Sequence, residues 1–409
     1  MGGFRLKYLT LPAVLAVGTI TGNTAIAAWQ KTSLATTSYQ LNEIGFPTFD
    51  DFGDVVPALP SDYVPNFYWN SDGYRFLKVD HSTTPEPPEL DDSGFPIFGD
   101  YFQLSLLTLD DNLWSSSQPI TNLSKELNSP ILVRRNDATV SFAHWIGDLL
   151  HIDTLASPAN NRITLQVPRR VGAVAVDSNG AVHIAAVNPA YELWHYYYSD
   201  GNLTASKLSN GPVCDVVIVA GDGDESHLAY STYSEDANLN DQLDEGEDLN
   251  GNSMLDKTPM QLVYQSVDAT TPSLVELVDN DTLLKICGFD LHFSSTFGVK
   301  LAYADPVTNE VRLAERGALS WSSARASTVA GMFESIALAV DSAGMCAVSY
   351  VNAARNKLFV AEESSATWSE TLISQVTTGD YFTGTNLAFD HADQLVVLTS
   401  EKSRVYLKC

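Results

Sequence analysis

Asn309-Glu-Val-Arg-Leu-Ala-Glu315 and Asn356-Lys-Leu-Phe-Val-Ala-Glu362 are two versions of one phrase, 47 residues apart. Each alternates polar and apolar side chains, the period of a strand rather than a helix. Two more pairs keep the offset of 47: Ser320-Trp-Ser322 with Thr367-Trp-Ser369, and Leu301-Ala-Tyr303 with Val348-Ser-Tyr350. Three coincidences at one spacing define a repeat of short strands.

A second signature lies just ahead of these phrases. Val174-Ala-Val-Asp177-Ser-Asn-Gly180, Leu338-Ala-Val-Asp341-Ser-Ala-Gly344 and Leu387-Ala-Phe-Asp390-His-Ala-Asp393 each read as strand, tight turn, strand. Leu228-Ala-Tyr230 precedes Leu301 by 73 residues, which falls to the common period once an insertion of some 24 residues is set aside. His183 and His227, 44 apart, mark the same strand in successive units. Units begin near Ile131, Val171, Gly211, Lys285, Gly331 and Asp380.

All-strand units of this length predict an all-β chain, a β-propeller of six or seven four-stranded blades. The unit from Asp380 to Cys409 is too short to be complete. N-terminal strands around Tyr101–Leu107 and Trp114 are expected to finish it and close the ring, removing exposed edges. Trp114 follows Leu104 by ten residues, as Trp368 follows Leu358. The alternative, a tandem of β-sandwiches, is disfavoured by the period.

The insertion carries the most legible chemistry of the chain. Residues 235–258 hold two Asp/Asn loops at a spacing of twelve. In the first, Asp236, Asn238, Asn240, Gln242 (through its carbonyl), Asp244 and Glu247 occupy the ligand positions of an EF-hand loop, and Leu243 is its apolar pin. In the second, Asp248, Asn250, Asn252, Met254 (through its carbonyl) and Asp256 repeat the pattern, but Pro259 stands at the last position. Ca²⁺ takes six to eight oxygens at about 2.3–2.6 Å, and mixed Asp/Asn side chains supply them. The competing reading is an acidic surface loop whose Asx side chains only make turns. Alternating, β-rich flanks (His227–Tyr233 and Met260–Ser266) show that the loop joins strands, not helices. It resembles the tandem loops of thrombospondin type 3 repeats, which implies structural calcium.

At the N-terminus, Arg5 and Lys7 precede an apolar run from Tyr8 to Ile20, and Ala25-Ile26-Ala27 offers a small-x-small cleavage site. Residues 1–27 are therefore expected to be a signal peptide, with 28–97 an N-terminal extension and acidic Pro-rich linker, and 98–409 the propeller. Secretion, extracellular or periplasmic, follows. No later stretch has the length of a membrane-spanning helix. The formal charge of −27, about −29 without Arg5 and Lys7, makes nucleic acid and anionic membranes poor partners. Cys214, Cys287, Cys346 and Cys409 make an even count, read as disulfides in an oxidising compartment, with buried free thiols the alternative.

Ala361-Glu-Glu363-Ser-Ser365-Ala-Thr367-Trp368 keeps the Thr-Trp and an acid of the Asp-box, S-x-D-x-G-x-T-W. The chain thus loosely resembles secreted bacterial propellers related to sialidase and BNR-repeat proteins. A sialidase needs an arginine cluster and a tyrosine beside an acid. Arg134, Arg135, Arg169 and Arg170 have no such spacing and read as solvated strand ends. The histidines are singletons, and His183 and His227 read as satisfied packing positions. Gly221-Asp-Gly-Asp-Glu225 reads as a hairpin turn, with a second cation site the sharper alternative. Alternate members of Trp194-His-Tyr-Tyr-Tyr198 are expected to fill the space between blades, a sugar-stacking platform being the alternative. The expected function is binding, by a monomer, to a glycan or an extracellular protein. The alternative is a glycoside hydrolase or polysaccharide lyase working at the channel mouth. No catalytic residue is assigned.

Overall fold

The computed structural model describes residues 9–17, 30–39, 48–49, 55–56, 67–70, 73–82, 101–110, 113–114, 118–119, 127–134, 140–146, 148–154, 162–169, 171–177, 179–209, 212–232, 261–279, 288–305, 308–318, 320–327, 335–352, 354–364, 367–376, 380–389, 393 and 395–403. The chain is all-β, with its described strands in four- and five-stranded antiparallel sheets and one small two-stranded pair. We label the large sheets A to G. Sheet A holds Phe67–Asn70, Gly73–Ser82, Tyr101–Asp110 and Leu113–Trp114, with Gln118–Pro119 also on its third strand. Sheet B holds Leu127–Arg134, Val140–Ile146, Leu149–Thr154 and Ile163–Gln166. Sheet C holds Val171–Val176, Val182–Val187, Leu193–Ser199 and Asn202–Lys207. Sheet D holds Val213–Ala220, Glu225–Thr232, Leu262–Asp268 and Thr271–Pro272, with Glu276–Asp279 also on its third strand. Sheet E holds Phe289–Ser294, Gly298–Asp305, Glu310–Arg316 and Trp321–Arg325. Sheet F holds Ile336–Val340, Cys346–Val351, Lys357–Ser364 and Thr367–Gln375. Sheet G holds Asp380–Phe389, Leu395–Ser403, Leu9–Val17 and Gln30–Tyr39.

The repeat maps onto this arrangement strand for strand. Leu301 and Val348 lie in second strands, Asn309 and Asn356 at the start of third strands, and Trp321 and Trp368 in fourth strands. The strand-turn-strand signature joins first to second strands in sheets C and F. The final unit is completed by N-terminal strands, but not by those expected. Leu9–Val17 pairs with Leu395–Ser403, and Gln30–Tyr39 with Leu9–Val17. Tyr101–Asp110 and Leu113–Trp114 are instead third and fourth strands of sheet A, where Gly73–Ser82 pairs in register from Ser82↔Tyr101 to Tyr74↔Leu109. Strands therefore lie on both sides of the expected boundary at residue 97.

From B to G, each sheet packs its first strand against the first strand of the next. One apolar cluster fills each of these interfaces. Val174, Val176 and Ile184 of sheet C meet Trp145 and Leu150 of sheet B, while Ala175, Ala185 and Leu193 meet Val216 and Leu228 of sheet D. Both faces of an inner strand are thus covered. This is why second strands such as Val182–Val187 and Cys346–Val351 are buried at every position and lose the alternation of an exposed sheet. Each such Val, Leu or Ile contributes about 1.5–3 kcal/mol by leaving water.

First strands still present an unpaired edge, and polar side chains satisfy its amides. Asp215 Oδ1 accepts from Val216 N (2.9 Å), Asp290 Oδ1 from Leu291 N (2.9 Å) and Asn386 Oδ1 from Leu387 N (2.7 Å). Turns between first and second strands are Asx turns closed by glycine. Asp177 Oδ1 accepts from Asn179 N and Ala181 N, and Asp341 Oδ1 from Ala343 N and Met345 N. Gly180 and Gly344 there take φ of 87° and 86°, in the left-handed region open to glycine.

Cys346 overturns part of the disulfide reading. It is a free, buried thiol inside the cluster between sheets E and F, with Ala302 and Val348 as apolar neighbours. Burial pushes its pKa up to about 12, so it packs as a small apolar group. The side chains of Cys214, Cys287 and Cys409 lie outside the described residues. Among the described residues, no helix is long and apolar enough to cross a membrane.

Candidate functional site

The eleven expected calcium ligands, Asp236, Asn238, Asn240, Gln242, Asp244, Glu247, Asp248, Asn250, Asn252, Met254 and Asp256, lie outside the described residues. Their anchorage does not. Glu225–Thr232 and Leu262–Asp268 pair from Glu225↔Asp268 to Ser231↔Leu262. Thr232 N donates to Gln261 O (3.0 Å) and Gln261 N to Thr232 Oγ1 (3.2 Å). The insertion therefore leaves and re-enters sheet D from two neighbouring antiparallel strands, as its flanks imply.

In up-and-down sheets, connections from second to third strands and from one sheet to the next share one end. On that end three sheets repeat one turn. Asn188 Oδ1 accepts from Ala190 N and Glu192 N (both 2.9 Å), Asp305 Oδ1 from Thr308 N (3.2 Å), and Asn352 Oδ1 from Asn356 N (3.0 Å) and Lys357 N (2.9 Å). Each turn sets one residue in the left-handed region: Tyr191 (φ 59°), Asn309 (φ 55°) and Arg355 (φ 52°). The carbonyls of Tyr191 and Arg355 accept from Val213 N and Phe382 N at the start of the following sheet. The side chains of this end are polar. Glu192 accepts from Lys207 Nζ (2.5 Å), Asn188 Nδ2 (2.9 Å) and Trp194 Nε1 (3.2 Å), and these donors hold its carboxyl below the usual range, Lys207 first.

On the same end, between sheets B and C, the Arg169 guanidinium lies 4.2 Å over the ring of fully buried Trp145. Arg169 is half-buried and stacked, not a solvated strand end. Desolvation brings its pKa down to about 10. The sequence signal missed was Trp145 at the end of a strand, facing the connection that holds Arg169. The side chains of Arg134, Arg135 and Arg170 lie outside the described residues.

At the opposite end, buried polar chains cross the interfaces. Asp177 Oδ2 meets His183 Nε2 (3.3 Å), His183 Nδ1 meets His195 Nε2 (3.4 Å), and Ser226 Oγ reaches the same His195 nitrogen (3.3 Å). His183 is thus satisfied, as expected of a packing position. Burial, then His183, brings the pKa of His195 down to about 3. Between sheets D and E, His227 Nδ1 lies 2.6 Å from Tyr264 Oη. His227 titrates near 4, lowered by burial and then Arg316, while desolvation raises Tyr264 well above its ordinary value. At neutral pH the phenol therefore donates to a neutral imidazole. Arg316 lies 5.2 Å over the Tyr264 ring and forms a fork with Glu276 (2.6 and 2.9 Å), which also accepts from Trp321 Nε1 (3.1 Å). Gly221–Glu225 is a tight hairpin, closed by Gly221 N to Glu225 O (2.7 Å). Tyr196 and Tyr198 fill the space between sheets B and C, the expected role of alternate members of that aromatic run.

No protein-family model matches the sequence, and no curated protein does. Similar solved structures exist at very low identity. An ulvan lyase of a new polysaccharide lyase family is 8% identical, with 84% of this chain and 92% of that chain covered and a TM-score of 0.50. The virginiamycin B lyase from Staphylococcus aureus is 11% identical (80% and 99% covered, TM-score 0.44), and the fucose-specific lectin from Aleuria aurantia 10% (77% and 96% covered, TM-score 0.44). These are β-propeller-like proteins. The fold is of the β-propeller class. At such identities the likeness concerns fold alone.

Proposed function

We propose that the chain is a secreted, calcium-stabilised β-propeller that binds a glycan or an extracellular protein through the end carrying the repeated turns. One observation carries this reading: three sheets present the same Asx-capped turn, with Tyr191, Asn309 and Arg355 at its left-handed position, on the end where the insertion emerges. Repeated polar turns on rigid strands make a multivalent surface, the usual place for recognition. A glycan array and an extracellular-protein capture screen with calcium present test it. Tyr191→Asn and Arg355→Asn, which tolerate the left-handed backbone, are expected to weaken binding without lowering the melting temperature. Blank results from both screens would sink the idea.

Seven blades and a ring closed by N-terminal strands fit the order of contacts. Strands of sheet A lie near Leu127–Arg134 of sheet B, and Gln30–Tyr39 of sheet G lies near Gly73–Ser82 of sheet A. Calcium at 236–256 is supported by ligand spacing and by the two-strand anchorage of the loop. Export is supported by Arg5, Lys7, the apolar run and Ala27. Cleavage there would remove Leu9–Val17 from its pairing with Leu395–Ser403. Mass spectrometry of the exported protein decides: a full-length chain contradicts the leader.

A second reading, a polysaccharide lyase or glycoside hydrolase, is favoured by the His227–Tyr264 pair beside Arg316. The neutral imidazole of His227 accepts the hydrogen bond of the phenol, and the adjacent Arg316 guanidinium would offset negative charge developing on the phenol oxygen. Release of unsaturated or reducing ends from polysaccharides, lost in Tyr264→Phe, would support this reading over simple binding.

A further inference from the structure

We infer that Arg169 and Trp145, at the junction of sheets B and C, form an oxyanion site that takes a carboxylate or sulfate group of the ligand. The ligand itself rests on the binding reading above; the site does not. Arg169 lies across the face of Trp145, whose side chain is fully buried. Gly172 leaves room for the stack: a Cβ there would stand 3.1 Å from Trp145 Cζ2 and 3.3 Å from Arg169 Cδ, close enough to crowd both. Arg169 Nε and Trp145 Nε1 are both buried donors without a hydrogen-bond partner.

The contrast with other arginines is what makes this a site. Arg316 is paired with Glu276, and Arg312 and Arg325 with Glu310. Among the described residues Arg169 has no carboxylate partner, in a chain with 50 acidic and 23 basic residues. A half-desolvated cation left without a counter-charge is costly to keep. Burial alone sets the direction of its titration shift, with no carboxylate opposing it. A planar guanidinium pinned on an aromatic face offers a preset fork for two oxygens of one anion, with little rotamer entropy left to lose. The cradle shares its end of the sheets with the repeated turns. It would therefore read an acidic group, such as a uronate or a sulfate ester, on a ligand spread over that surface.

The test uses the full chain with calcium, titrated separately with sodium sulfate and sodium glucuronate. Binding is followed by calorimetry and by the Nε–Hε nuclear resonance of Arg169. We expect saturable binding of at least one anion with a shift of that resonance, and affinity lowered by about tenfold or more in Arg169→Gln. Trp145→Phe, which removes the indole donor and narrows the stacking face but keeps the guanidinium, is expected to cost less. The better-bound anion identifies the group read. No saturable shift with either anion in the unmodified protein overturns the site without need of a variant. Unchanged affinity in Arg169→Gln overturns it equally. A blank glycan array beside Arg169-dependent anion binding would refute the proposed ligand and leave the site standing.

Discussion

Asp290 Oδ2 accepts the amide of Leu338, 2.8 Å away on the first strand of the neighbouring sheet. The other oxygen accepts from Leu291 N, so one carboxylate ties the inner edges of sheets E and F together. Neither partner is charged. Burial raises the Asp290 pKa to about 6 despite both backbone donors. Asn in its place would turn an amide donor toward one of the two N–H groups. Asp290→Asn is therefore expected to cost about 1–3 kcal/mol in urea unfolding. The pH dependence should have a definite sign. A carboxyl raised in the folded state contributes stability that is fully present below its unfolded value near 3.8, and that is lost as pH rises through about 6. The difference in stability between wild type and Asp290→Asn, measured across that window, should carry this trend, because the variant lacks the titrating carboxyl.

The buried histidines act in the opposite sense. His144 and His195 titrate near 3, and His227 and His292 near 4, each lowered chiefly by burial. Groups depressed in the folded state contribute stability above their unfolded value near 6.5, and lose it as the pH falls. Each such group steepens the loss by about 1.4 kcal/mol per pH unit below that point. Around His195 the facing groups are His183, Ser226 and, through His183, Asp177. His195→Asn is expected to make stability between pH 6.5 and 4 fall less steeply, whatever it does to stability at pH 8. An unchanged slope would mean that His195 is charged in the folded protein.

Gly344 separates two sources of strain. A Cβ there would lie 2.6 Å from Phe297 Cδ1, and its φ of 86° disfavours any L side chain. Phe297 is 37% exposed, so its ring can move away at small cost. The backbone has no such freedom. Gly344→Ala is expected to lose about 1 kcal/mol, and the loss should persist when Phe297→Ala is added. Full recovery in the double variant would assign the cost to the ring contact instead.

Repeats were legible where both faces of the unit kept the same packing demand. Leu301 and Val348 occupy one interior position in successive sheets, and Asp177 and Asp341 cap the same turn, so sequence and structure coincide. Sheet A has no partner at the 47-residue offset, and its strands Phe67–Asn70 and Gly73–Ser82 were hidden among the aromatics and prolines of the presumed extension. Leu9–Val17 pairs as a strand with Leu395–Ser403 and Gln30–Tyr39, while its apolar run also has the composition of a leader, so composition alone does not separate the two. Contacts between distant residues leave no local trace. Nothing near Tyr264 announces His227 or Arg316, and Arg169 looks like any other surface arginine until Trp145 is placed beneath it.

The calcium insertion can be tested through its anchorage. Thr232 and Gln261 close the frame from which residues 233–260 depart. Without a cation, Asp236, Asp244, Glu247, Asp248 and Asp256 would repel one another at the end of a strand pair, in a chain already at −27. Binding to the folded form alone stabilises it by mass action, about 2.7 kcal/mol at a hundredfold excess over Kd. Chelation is therefore expected to lower the melting temperature and to open the chain to protease near Leu239, both restored by calcium and not by sodium. Asp236→Asn with Glu247→Gln should reproduce the chelated state in saturating calcium, because the bidentate carboxylate and one of the charges are gone. Equal melting and equal cleavage with and without chelator would leave the Asx residues as turn formers only. The strand frame would then hold a bare acidic loop.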